Sequence, residues 1–159
     1  MEEEIRKKKR YTPQQAWPLI QNFCAYRERC HQEIRDKLYS YSLTSDDVEN
    51  IIVKLIEEKY LDEERYARAF VSGKYRIKKW GRSRIVRELK MRKISEYCIK
   101  KGLEEIDPDE YYENLKHLVE KKYNSIKGDH PAIKRKKTAH YLMTKGYEGD
   151  LVWDVVKEI

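Results

Sequence analysis

Residues 85–106, IVRELKMRKISEYCIKKGLEEI, carry the pattern that decides the fold. The pattern breaks after Leu89, and Ser95 then stands where a helix-capping side chain is expected. It therefore predicts two short helices joined by a tight turn, with one apolar face each. The apolar residues of that face recur at helical intervals on either side of the turn: Ile85, Leu89, Ile94, Ile99, Leu103 and Ile106.

The same pattern occurs twice more in the chain. Leu38, Leu89 and Leu142 hold equivalent places, at separations of 51 and 53 residues, which is typical of a tandem array rather than a single globule. The third copy has Glu148-Gly149 where the others have a capping residue. We therefore expect the N-terminus of its second helix to be the least stable of the three. The first copy carries Ile34, Leu38, Leu43, Val48, Ile51, Ile52 and Leu55, and the third carries Thr138, Leu142, Tyr147, Val152, Val155 and Val156.

The predicted fold is all-α, a tandem array of three-helix, helix-turn-helix-like repeats without a β wing. A charged N-terminal arm (1–11) precedes repeats at 12–58, 59–106 and 107–159. The pattern leaves open whether the longer helix of a repeat follows its helix pair or precedes it. Helices are predicted near 13–29, 32–40, 45–58, 63–79, 83–92, 96–105, 108–126, 131–144 and 149–158.

Composition limits the class of protein. Hydrophobic and charged residues each make up 40% of the 159 residues, which suits small helical units with thin cores. No apolar run is long enough to suggest a membrane span or a signal peptide. Three cysteines argue against a disulfide framework and favour a reducing cytoplasm. The net charge of +7 makes nucleic acid, or an assembly built on it, the first partner to consider.

The positive charge is concentrated between residues 74 and 101, where twelve Lys and Arg face only Glu88 and Glu96. A solvated helix face would carry acids that neutralise such a run, so the excess favours binding to a phosphate-bearing partner. A second basic cluster stands at the head of the third helix pair. The candidate residues for binding such a partner are Lys74, Arg76, Lys78, Lys79, Arg82, Arg84, Arg87, Lys90, Arg92, Lys93, Lys134, Arg135, Lys136 and Lys137.

Catalysis and metal binding have little support in the sequence. Cys24, Cys30 and His31 match no common zinc spacing and are interpreted as packing residues. No nucleophile has a recognisable partner, and no glycine-rich phosphate loop is present. The acidic triplet 62–64 is interpreted as a helix cap. We therefore expect a protein that is not an enzyme and uses no cofactor.

Several of the aromatic residues are predicted to pack in the core. Four tyrosines have the spacing of an apolar helix face and are predicted to lie in the core: Tyr66, Tyr111, Tyr141 and Tyr147. Trp80 lies between Lys79 and Gly81 in a basic turn. The sequence leaves open whether its ring packs within the protein or contacts a partner.

Three segments together resemble the RecX family of bacterial regulatory proteins. They are YLDEERYARAFV (60–71), GRSRIVREL (81–89) and the upstream Arg27-x4-Gln32-Glu33-Ile34-x3-Leu38. The likeness includes the repeat layout and covers roughly residues 12–158. The chain departs from the family pattern at Lys59, where glycine is common, and at Lys93, which stands where a glycine usually precedes Ile94.

The resemblance implies a partner and a mode of action. RecX proteins bind the RecA recombinase, chiefly as its filament on DNA, and restrain its ATPase and strand-exchange activities. An elongated, curved, monomeric array would lie along a filament groove. Two other classes stay open. One is a stand-alone DNA-binding module that places the helix near 83–92 against the duplex; the other is an adaptor that docks an acidic protein on the basic run.

Overall fold

The computed structural model describes residues 9–159, so most of the predicted charged arm lies outside the described residues. Within that range the chain forms nine α-helices and no strand, which confirms the predicted all-α array. The observed helix ends agree with the predicted ends to within three residues. The helices are α1 (Pro13–Tyr26), α2 (His31–Ser40), α3 (Ser45–Glu57), α4 (Glu63–Arg76), α5 (Arg82–Met91), α6 (Glu96–Leu103), α7 (Pro108–Ser125), α8 (Pro131–Thr144) and α9 (Gly149–Val156).

Short side chains fix where the helices begin. Thr12 Oγ1 accepts a hydrogen bond from the Gln15 backbone N–H, and the Gln15 side chain accepts one from the Thr12 N–H, a reciprocal cap. The helix that follows continues through Pro18. Before α4, Asp62 Oδ1 accepts from the Arg65 N–H at 2.9 Å. The capping interpretation of the acidic triplet is therefore confirmed.

The three helix pairs differ in how their second helix is capped. Thr44 and Ser95 cap α3 and α6, accepting from backbone N–H groups at 3.2 Å. Glu148 holds the same place before α9 and makes no such bond. Its carboxylate instead accepts from Tyr111 and Arg82, so the third pair gives up a local cap for two long-range contacts.

The turns inside the helix pairs contain left-handed residues. Ser42, Lys93 and Gly146, each four residues beyond the repeating leucine, have φ of 61°, 58° and 102°. Lys59, which follows α3, also has a φ of 61°. Only glycine adopts this conformation without a steric penalty. The two departures from the RecX pattern therefore lie at turns whose backbone geometry is kept without glycine.

Of the described residues, 9–66 form one compact unit. Its described helices α1, α2 and α3 pack together, with α1 against both members of the pair. Arg29 is buried beside this core, where its Nε donates to the Phe23 carbonyl at 2.9 Å and its guanidinium lies 3.6 Å from the Phe23 ring centroid. The core comprises Ala16, Ile20, Ile34, Leu38, Leu43, Val48, Ile51, Ile52, Leu55 and Leu61.

Residues from Ala67 onward form the second compact unit, which contains most of α4 and all of α5 to α9. Gly102 of α6 lies directly against the Ala67 carbonyl of α4, and α7 packs against both α8 and α9. In this unit α4 and α7 therefore each contact helices that follow them in the chain. The division of the chain into repeats at 12–58, 59–106 and 107–159 stays a prediction.

The core predictions for the tyrosines hold in three cases out of four. Tyr66, Tyr111 and Tyr147 are buried, but the side chain of Tyr141 is 37% exposed. The prediction for Tyr141 is wrong because α8 turns Thr138, Ala139 and Leu142 toward the core and leaves Tyr141 at its edge.

Among residues 9–159, no helix has the length and apolar content needed to cross a bilayer. The same residues contain no cluster of three His, Cys, Asp or Glu side chains that would hold a metal ion. Cys30 is buried and Cys24 half-buried, as the packing interpretation requires.

Candidate polyanion-binding surfaces

The first predicted basic run extends from the end of α4 through α5 and its following turn. The structure exposes Arg76, Lys78, Lys79, Arg87, Lys90 and Lys93, and half-buries Lys74, Arg82, Arg84 and Arg92. The cations of α5 and of the turn before it, apart from Arg82, are here called the α5 basic surface. The surface consists of Lys78, Lys79, Arg84, Arg87 and Lys90.

Trp80 organises one end of the α5 basic surface. Its ring packs edge-on against the Phe70 ring, with 6.4 Å between the two centroids. Of the two roles that the sequence left open for Trp80, packing is therefore observed. The same ring holds cations: the Arg84 guanidinium lies 4.1 Å from its centroid and the Lys74 ammonium 5.0 Å. Because an aromatic face attracts cations, Trp80 fixes two of the predicted binding residues in place.

Arg82 has a different environment from its neighbours. Its guanidinium lies 3.2 Å from the Glu148 carboxylate and 4.0 Å from the Tyr111 ring centroid, and its backbone N–H donates to the Tyr111 hydroxyl. These contacts direct the side chain toward the third repeat. Among the three arginines 82, 84 and 87, Arg82 therefore joins two repeats, whereas Arg84 is half-buried against Trp80 and Arg87 is exposed.

The backbone on each side of Arg82 docks on the third repeat as well. The Gly81 N–H donates to the Lys145 carbonyl and the Ser83 N–H to the Gly146 carbonyl, both at 2.9 Å. A Cβ on Gly81 would collide with the Gly146 carbonyl group, so the two segments approach this closely only because residue 81 is glycine. The Tyr147 hydroxyl completes the contact by donating to the Lys79 carbonyl at 3.1 Å.

A shallow groove runs along the outer side of α5. Arg87 and Lys90 supply its charge, and Val86 and Met91 its apolar lining, with the Arg82–Glu148 pair at one end. Met91 is 70% exposed, so a long apolar side chain stands in water beside Arg87 and Lys90. The groove can accept an acidic group and an apolar one side by side.

Two of the remaining cations of the first run, Arg76 and Arg92, make contacts within the chain. Arg92 pairs with Glu88 at 2.9 Å and holds the pKa of that carboxyl below its usual range, with Arg84 and Arg87 adding to the effect. Arg76 donates to the Ser72 hydroxyl and to the Glu105 carbonyl. In the first run, Arg82 and Arg92 are therefore ion-paired, and Arg76 is hydrogen-bonded to uncharged groups.

The second predicted cluster, Lys134 to Lys137, forms the first turns of α8. The Lys134 ammonium lies 4.0 Å from the Tyr123 ring centroid, and Lys137 Nζ pairs with Asp129 at 2.6 Å. Arg135 is half-buried and Lys136 is exposed.

A groove between the end of α7 and α8 lies beside this cluster. Lys136, Lys137 and His140 line it from α8, together with the exposed Tyr141, and Lys122 and Ile126 line it from α7. Reasoning from the sequence missed Lys122, His140 and Tyr141, the last because it was placed in the core. The sequence does contain a hint of this groove: Lys137 and Tyr141 are four residues apart, so they lie on the same face of a helix.

Comparisons with known proteins identify the architecture. The family model for the second three-helix domain of RecX matches residues 62–103, and the model for its third three-helix domain matches residues 109–156. The two matches together cover more than half of the chain. The crystal structure of RecX from Lactobacillus salivarius superposes with a TM-score of 0.83 at 25% identity, covering 92% of this chain and 95% of that one.

Curated relatives named regulatory protein RecX agree with that result. The one from Clostridium tetani is 32% identical over 133 residues, and the one from Oceanobacillus iheyensis is 25% identical over 148 residues. These matches cover 82% and 93% of this chain but only 59% and 54% of the relatives' own lengths. Repeat architecture, domain matches and relatives lead to one conclusion: the chain belongs to the RecX family of regulatory proteins.

Proposed function

We propose that this protein binds the RecA recombinase as its filament on DNA and restrains its ATPase and strand-exchange activities, a role in recombination and repair. Membership of a family of regulatory proteins supports a regulatory role. The observation that carries the proposal is the outward-facing, one-signed charge of the α5 basic surface. Such a surface suits a nucleoprotein filament, which offers DNA phosphate and acidic protein side chains together.

The arrangement of α5 supports contact with protein as well as with phosphate. Arg87 and Lys90 flank the exposed Met91, so a partner that buries the methionine also meets two cations. Interfaces gain most of their affinity from such apolar anchors and their specificity from the charges around them. A regulator acting this way restrains the recombinase by occupying its groove and needs no catalytic group of its own.

The test is RecA ATPase on single-stranded DNA, titrated with this protein. We expect inhibition by the natural chain and loss of inhibition in Arg87→Glu/Lys90→Glu. The matched control is Lys100→Glu/Lys157→Glu, which reverses two exposed lysines away from the α5 basic surface and should inhibit normally. Full inhibition by the α5 variant, with its helical circular-dichroism signal retained, would contradict the proposal.

A stand-alone DNA-binding protein is the second candidate. It is favoured by the extra basic cluster on α8, which a protein-docking surface on α5 does not require. Binding of that kind weakens steeply with salt and needs no recombinase. Salt-sensitive binding to bare DNA, without inhibition of RecA at any ratio, would support this candidate in place of the first.

A further inference from the structure

The charge of the third repeat is less neutralised than that of the second. Between residues 121 and 145 the chain has eight Lys and Arg and one acid, Asp129. That acid pairs with Lys137. Among the described residues this region therefore keeps most of its positive excess, while the α5 region loses Arg82 to Glu148 and Arg92 to Glu88.

The groove between α7 and α8, defined above, adds an aromatic floor to that charge. Tyr141 is 37% exposed, and the ammonium groups of Lys122 and Lys145 lie 4.3 Å and 5.5 Å from its ring centroid. Ile126 and the aliphatic stems of the lysines add apolar surface to the walls. An accessible ring bordered by cations is the arrangement on which nucleic-acid bases stack while phosphates meet the rim.

We propose that the groove between α7 and α8 binds a single strand of nucleic acid, with a base stacked on Tyr141 and phosphates held by Lys122 and Lys136. This contact is separate from the α5 basic surface and does not require the recombinase. The lysines resting on the ring are long and flexible, so they move from the ring to the phosphates when a base replaces them.

The chemistry selects a single strand over a duplex. In a duplex the bases are stacked on one another and only phosphates and groove edges are presented, so the exposed ring and apolar walls would remain unused. In a single strand the bases are free to stack on an aromatic side chain, whatever their identity. Stacking on Tyr141 and ion pairing with lysine ammonium groups do not depend on the sugar, so DNA and RNA strands are expected to bind alike.

The experiment is fluorescence anisotropy of a labelled oligothymidylate of about 12 nucleotides, without RecA, over a range of salt concentrations. Lys122→Ala/Lys136→Ala should lower the slope of log affinity against log salt by about 1.4, since each phosphate contact to a single strand contributes about 0.7. Tyr141→Ala should weaken binding at least about fivefold, and Tyr141→Phe should restore it, because phenylalanine keeps the stacking face.

Lys100→Ala/Lys157→Ala is the matched control, with the same charge removed from two exposed lysines that do not line the groove. It should bind the oligonucleotide with the affinity and the salt slope of the natural chain. The proposal is overturned if this control loses the affinity while the groove variants bind normally, or if polyglutamate displaces the strand as well as unlabelled oligothymidylate does. Equal binding of an oligouridylate supports it, and loss of Tyr141 dependence with either strand overturns it.

A 5-bromouracil oligonucleotide locates the contact directly. Irradiation should link the base to the peptide that contains Tyr141, and the link should disappear in Tyr141→Ala. A link confined to α5 would overturn the proposal. Because RecA is absent from all these measurements, their failure would leave the proposed inhibition of RecA to be judged by its own assay.

Discussion

The Arg82 guanidinium lies 3.2 Å from the Glu148 carboxylate, 66 residues further along the chain. The other carboxylate oxygen of Glu148 accepts from the buried Tyr111 hydroxyl at 2.5 Å. One acid therefore satisfies a cation and a phenol, and it connects α5, α7 and α9. Tyr111 also packs between the rings of Tyr75 and Tyr147, at centroid distances of 5.9 Å and 5.2 Å, so the acid lies beside the aromatic core that the second and third repeats share.

Removal of this acid should destabilise the second unit. Glu148→Ala leaves the Tyr111 hydroxyl buried without its acceptor, and we expect a loss of about 2 kcal/mol in the free energy of unfolding. Urea denaturation followed by circular dichroism measures the loss. Asp150→Ala, an exposed acid in the first turn of the same helix, is the control and should cost no more than about 0.5 kcal/mol. Equal losses in the two variants would contradict the connecting role.

The approach of Gly81 to Gly146 predicts a larger effect. Gly146 has a φ of 102°, and a Cβ there would collide with the backbone and Cβ of Arg84. Gly146→Ala should therefore destabilise the protein by about 3 kcal/mol, from backbone strain and overpacking together. Gly128→Ala isolates the first cause, because Gly128 has a φ of 83° but no atom within 4 Å of the added methyl group. Gly128→Ala should lower the free energy of unfolding by about 1 kcal/mol. An equally small loss for Gly146→Ala would show that the segments around Gly146 and Arg84 separate easily.

The helices and their order were predictable because their determinants are local. Apolar spacing and capping side chains such as Thr44 and Ser95 act within one or two helical turns. All the residues that determine each helix are therefore close together in the sequence. Glu148 illustrates the limit. The missing cap was visible, but its cause is a pair of contacts from Tyr111 and Arg82, and no local pattern records which distant residues meet.

The sequence predicted which basic residues belong to the candidate site, but it did not predict the contacts that each of them makes. Charge density located the basic runs, yet Arg82 and Arg84 look alike in sequence and differ in environment, one joined to Glu148 and the other resting on Trp80. Tyr141 has core-like spacing, but α8 is buried along a narrow stripe only, and the ring falls outside it. These outcomes depend on how α8 packs against α7, which is a long-range property.

Lys59 offers a test of backbone strain away from the basic surfaces. Its φ of 61° is unfavourable for a residue with a Cβ. Lys59→Gly should relieve that strain, and after the extra freedom of glycine in the unfolded chain is counted we expect a gain of about 0.5 kcal/mol in the free energy of unfolding. Glu58→Gly is the control next to it, with an ordinary φ of −88°, and should lose about 0.5 kcal/mol. Urea denaturation of both variants should give shifts of opposite sign; a loss in both would contradict the strain at Lys59.

Cys24 provides a prediction of pH dependence. Burial raises the pKa of the Cys24 thiol to about 11, with the nearby Arg29 opposing the shift. Since the thiolate is the reactive form, alkylation of Cys24 by iodoacetamide at pH 8 should be about 100-fold slower than for a thiol of ordinary pKa, and its rate should rise about tenfold per pH unit up to pH 10. Peptide mass spectrometry separates Cys24 from the more deeply buried Cys30 and Cys98.

The same shift sets the sign of a stability effect. Because the pKa of Cys24 is higher in the folded chain than in the unfolded one, its contribution is fully present below about pH 9 and is lost as the pH rises toward 11. Cys24→Ala should therefore lose less stability than the natural chain over that interval. In concentrated urea all three thiols should alkylate at similar rates, which shows that the protection comes from the fold. Rapid alkylation of Cys24 at pH 8 under native conditions would mean that the thiol lies in water and that burial does not control it.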